Sequence, residues 1–77
     1  MAALVYFRKA SEDSNQVHYD FGDDPGNFSR RLTVAKDSHT SVADDGRVDY
    51  TFLKASRKIN SLREESGLWP ERGMSVS

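Results

Sequence analysis

The chain has 77 residues, 36% hydrophobic and 30% charged, with a formal net charge of −1 and a pI near 6.0. That length allows one small domain, residues 1–77, and the near-neutral balance argues against bulk electrostatic binding to nucleic acid or anionic lipid. The absence of cysteine excludes thiolate zinc sites and favours a reducing, intracellular location.

"ALVYFRK" (residues 3–9) is rich in β-branched and aromatic residues and too short for a typical helix, so it reads as a strand. The polar segment "SEDSNQ" (11–16) follows as a turn. "VHYDF" (17–21) alternates, with Val17, Tyr19 and Phe21 on one face and His18 and Asp20 on the other, which predicts a half-buried second strand. "GDDPGN" (22–27) is dense in turn formers, and "FSRRLTVAK" (28–36) reads as a third strand with Leu32 and Val34 inward. Three strands joined by short turns make an antiparallel meander.

"DSHTSVADDG" (37–46) reads as a polar loop. Beyond it Val48, Phe52, Ala55, Ile59 and Leu62 recur at steps of four and three, the spacing of one helix face. The expected helix spans residues 47–66. Asp44, Asp45 and Asp49 crowd its start, where a carboxylate caps free N–H groups. Gly67 suits the left-handed position that ends helices, with Leu68 folding back towards Leu62, and Pro70 stops the helix from resuming.

Strand one poses a packing problem. If Val5 and Phe7 face the helix, Leu4 and Tyr6 face away, beside the polar His18, Asp20, Arg31 and Thr33. The tail (67–77) holds Trp69, Met74 and Val76, the remaining large apolar residues. The favoured expectation is a latch: Trp69 packs near one end of the core and "GMSVS" returns along the sheet as a short fourth strand. The alternatives are an exposed aromatic patch of Trp69 and Tyr6, or a disordered tail. The fold class is therefore α+β, a three-stranded meander and one long amphipathic helix on one sheet face (βββα), with a returning tail.

No nucleophile elbow, phosphate loop or dinucleotide fingerprint is present, so no enzyme activity, catalytic residue or cofactor is expected. "DFG" (20–22) lacks every other kinase signature, and "DFGDDPGN" (20–27) fails the EF-hand test because Arg31 stands where the twelfth ligand belongs. His18 and Asp20 lie two apart on one strand face but need a further ligand, so no metal site is assigned. "NFS" (27–29) matches the glycosylation pattern without a leader peptide to bring it to that machinery. No stretch approaches the roughly 20 apolar residues of a membrane span, so the expected location is cytoplasmic and no membrane partner is expected.

Two surface readings remain. The first is a non-enzymatic interaction or regulatory module that binds a protein partner or a second copy through the outer sheet face, using Leu4, Tyr6, His18, Arg31 and Thr33, with Trp69. The second is nucleic-acid or other anion binding by Lys54, Arg57 and Lys58, which share a helix face and lack a carboxylate three or four residues away. Arg30 and Arg31 are further candidates on opposite faces of strand three. Net charge disfavours the second reading.

Overall fold

A computed structural model describes residues 4–76; residues 1–3 and 77, including the expected strand start at Ala3, lie outside the described part. The elements in chain order are β1 (Leu4–Glu12), β2 (Gln16–Gly22), β3 (Arg30–Ala35), β4 (Ser41–Ala43), α1 (Tyr50–Ser66) and β5 (Arg72–Val76). They form one antiparallel sheet of five strands, ordered β4-β3-β2-β1-β5, and a single helix. The α+β class and the antiparallel sheet agree with the sequence reading. The βββα order does not: four strands precede the helix and one follows it.

The extra strand is β4, which lies in the segment expected to be a loop. Leu32, Thr33 and Val34 pair with Ala43, Val42 and Ser41. The reversal into β4 uses His39 in the left-handed region (φ 59), and its N–H donates to Ala35 O at 2.8 Å. The tail does return as a strand, and it is the fifth. It pairs with β1 from Leu4↔Val76 to Arg8↔Arg72.

Alternation decides which side chains are buried. Val5, Phe7, Val17, Tyr19, Phe21, Leu32, Val34 and Ala43 point to one face and meet Phe52, Ala55 and Ile59 of α1. Leu62 and Trp69 pack against this cluster from the rim. Phe7 and Tyr19 meet edge to face at 5.7 Å between ring centroids. Gly73 faces the same side: a Cβ there would lie 2.7 Å from Phe7 Cζ, so β5 approaches β1 only because position 73 has no side chain.

The helix begins later than expected. Asp49 is its N-cap, with Oδ1 accepting from Phe52 N–H at 3.0 Å. Val48, assigned to the apolar helix stripe, lies before the helix and is 70% exposed. Arg30 explains the delayed start. Its guanidinium donates to both oxygens of Asp45, both oxygens of Asp49 and Arg47 O, tying the approach to α1 to β3. At the other end Gly67 is left-handed (φ 76) and its N–H donates to Arg63 O at 2.8 Å. Leu68 does not fold back onto Leu62; it is exposed.

Candidate interaction surface

With α1 on one side, no described helix or strand packs on the opposite face of the sheet, and the strand registers arrange it in rows. One row runs Arg72–Arg8–Asp20–Arg31 across β5, β1, β2 and β3. A second runs Met74–Tyr6–Gly22, and beyond it Val76 lies opposite Leu4. On the other side of the charged row His18 lies opposite Thr33, which lies opposite Val42. The face is thus apolar at one end, charged in the middle and polar at the other end.

The apolar end combines β1 and β5. Leu4, Met74 and Val76 are exposed, at 39%, 46% and 57%, and Tyr6 is half-buried. Beside them Phe28 and Pro25, from the β2–β3 connection, face Tyr6, Arg8, Arg72 and Met74 across an open groove of about 700 Å³. That connection is a built turn. Asp24 accepts from Gly26 N–H through Oδ1 and from Asn27 N–H through its backbone carbonyl. Asn27 O would sit 2.6 Å from any Cβ at position 22, so Gly22 is required there.

In the charged row three arginines face one aspartate. Asp20 is closest to Arg31, at 2.8 Å from Nε, and 3.8 Å from Arg8 Nε. The Asp20 contact raises the Arg31 pKa further above its ordinary value. Arg8 also lies over the Phe28 ring, 4.6 Å from its centroid. Arg72 lies directly opposite Arg8 and, among the described residues, has no ion pair or side-chain hydrogen bond. Like charges directly opposite one another across a ladder destabilise it. The polar end is satisfied internally: His18 Nδ1 lies 2.9 Å from Thr33 Oγ1, which donates to Asp44 Oδ1 at 3.1 Å.

The sequence-predicted outer-face residues Leu4, Tyr6, His18, Arg31 and Thr33 therefore share one surface. Trp69 is not part of it. The tail runs over the helix side of the sheet, where Tyr19 Oη donates to Pro70 O at 2.8 Å. There the Trp69 ring meets the His39 ring edge-on at 5.2 Å, and the Arg63 guanidinium lies 5.3 Å from its centroid. Burial raises the Tyr19 pKa well above its usual value. Arg8, Arg72 and Phe28 belong to the surface and were not singled out in the sequence; Met74 and Val76 were expected to return along the sheet but were not assigned to a partner-binding surface. The one available signal was the two-residue spacing of Met74 and Val76.

The second candidate set lies on α1. Lys54 Nζ sits 5.5 Å from the Tyr50 ring centroid. Arg57 and Lys58 make no ion pair among the described residues. Arg30 and Arg31 do not extend this set, because both are engaged by carboxylates. His18 and Asp20 turn to separate partners, and the described residues hold no group of three or more His, Cys, Asp or Glu suited to a metal ion. Among the described residues no helix is long and apolar enough to cross a membrane.

Compared with known protein families, curated proteins and solved structures, the chain matches none. Its fold is a two-layer α+β arrangement with one open sheet face.

Proposed function

We propose that the protein is a non-enzymatic interaction module whose docking surface is the uncovered sheet face at β1 and β5. One observation carries this reading: Leu4, Tyr6, Met74 and Val76 form a contiguous apolar patch on the sheet face opposite α1, and among the described residues Leu4, Met74 and Val76 are exposed there. Contiguous exposed apolar surface on a small domain marks a place of contact. Flanking arginines and aromatic side chains match the composition that interfaces favour.

The test is capture from a lysate of the source cells by three tagged proteins after nuclease treatment. They are the wild type, a Leu4→Glu/Met74→Glu variant and a Lys54→Glu/Arg57→Glu/Lys58→Glu variant, each checked for folding by circular dichroism. A stoichiometric protein retained by the wild type and the helix variant, and lost by the sheet variant, is the expected result. Retention that the sheet variant leaves unchanged contradicts the reading.

A second reading has its own observation: Arg57 and Lys58 stand on α1 without counter-ions among the described residues. It requires nucleic acid retained without nuclease, released as salt rises, and lost in the helix variant.

A further inference from the structure

The β5 edge and the unpaired Arg72 on it form one site. Lys9 N–H donates to Glu71 O at 2.7 Å, which makes residues 9 and 71 a hydrogen-bonded pair. Alternation along the ladder then directs the backbone groups of Gly73 and Ser75 to β1, and those of Arg72, Met74 and Val76 to the open edge. The residues with free backbone groups are thus the ones whose side chains lie on the uncovered face. β5 is the outermost strand of the sheet.

We infer that this edge takes up an extended acidic peptide segment of a partner protein as a sixth, antiparallel strand, with a carboxylate side chain clamped by Arg72 and an apolar side chain seated against Met74. Backbone pairing to the edge supplies affinity, and the side chains of alternate residues supply selection. Arg8 is already positioned by its stacking on Phe28, and its carboxylate, Asp20, is held closer by Arg31. Arg72 lacks any counter-ion among the described residues, and a carboxylate directly opposite it on the incoming strand supplies one. The residue two positions before that carboxylate falls opposite Met74, beside the groove formed with Pro25 and Phe28.

A second copy fits this edge less well. Antiparallel β5–β5 pairing centred on Met74 overlaps all of Arg72–Val76, but it sets Arg72 opposite the apolar Val76 side chain of the copy. This inference rests on the sheet-face reading and goes further, naming the edge, the clamp and the chemistry of the partner.

The probe is the capped peptide Thr-Val-Thr-Glu-Thr, which is strand-prone and carries its Val and Glu two apart on one face. It is titrated into ¹⁵N-labelled protein to about 1 mM, the weak limit expected for so short a segment. The expected result is amide shifts concentrated at Arg72, Met74 and Val76. Replacing the peptide Glu by Lys, or N-methylating the peptide backbone at that residue, abolishes them. Arg72→Glu and, separately, Met74→Pro each weaken binding at least about tenfold. Met74→Pro removes an outward-facing N–H and the apolar seat of the Met side chain but no hydrogen bond to β1, so the ladder and the dispersed spectrum persist.

No shift at the top concentration, equal binding of the Lys peptide, or shifts confined to α1 each overturns the inference. So does a dimer in sedimentation velocity that the peptide does not dissociate, since a second copy then holds the edge. If the peptide fails while the Leu4→Glu/Met74→Glu variant still loses its captured partner, the edge clamp falls and the sheet-face reading stands. If capture is unaffected as well, both fall.

Discussion

Glu12 and Asp45 tie the molecule together through charge, and both carboxyls are held down to about 2. For Glu12 the main cause is hydrogen bonding from Lys36 and then Lys9; for Asp45 it is Arg30 and then the Arg47 backbone N–H. A carboxyl whose folded pKa is depressed contributes stability that is present above its unfolded value, about 4, and is lost as the pH falls towards the folded value. Tm should therefore hold near neutrality and drop between about pH 4.5 and pH 2. A Glu12→Gln variant should have a lower Tm at pH 7 and a shallower fall, measurable by thermal scans across that window. An unchanged fall would remove Glu12 from the account.

Gly73 gives a sharper residue-scale test. Gly73→Ala forces a Cβ against the Phe7 ring and should cost about 1–3 kcal/mol in urea unfolding. An unchanged midpoint would mean that the ring shifts freely. Neither Gly73 nor the Arg30 network was legible in the sequence. Arg30 reaches Asp45 and Asp49 across 15 and 19 residues, and Gly73 is constrained by Phe7, which only the β1–β5 register brings near.

At the scale of elements, strong periodicity was readable and short-range detail was not. The stripe Phe52, Ala55, Ile59 and Leu62 predicted the buried side of α1, and Gly67 its end. Val48 fits the same spacing, yet periodicity alone does not say where winding starts. Arg30 decides it, by binding Asp45 and Asp49 and leaving Asp49 to cap. Asp49→Ala removes both the cap and half of the Arg30 clamp, so it should lower the unfolding midpoint. Denaturant unfolding monitored by helix ellipticity measures this, and Asp49→Asn should recover part of the cap. β4 escaped the sequence reading because three residues are too few to show alternation, and Val42 points to the exposed face.

At the scale of the whole molecule, the described residues form a five-stranded sheet with a helix on one side and an open surface on the other. The outer-face residues of β1, β2 and β3 followed from strand alternation, which is why Leu4, Tyr6, His18, Arg31 and Thr33 fell on one surface. The tail was harder. Its return as a strand was readable from Met74 and Val76, but which face they occupy depends on register against β1. That register places them beside Leu4 and Tyr6, so the tail enlarges the exposed patch instead of hiding it. Trp69, the largest side chain of the tail, goes to the helix side and helps close the core rim. The latch and the docking surface are therefore two consecutive parts of one segment.

The most direct measurement is hydrogen–deuterium exchange of the protein, free and bound to the partner that it captures. The backbone amides of Arg72, Met74 and Val76 face the open edge and should exchange quickly in the free protein and slowly in the complex, while the amides of α1 change little. Protection confined to Tyr50–Ser66, with β5 exchanging as before, would contradict docking on the open sheet and move the interface to the basic face of the helix.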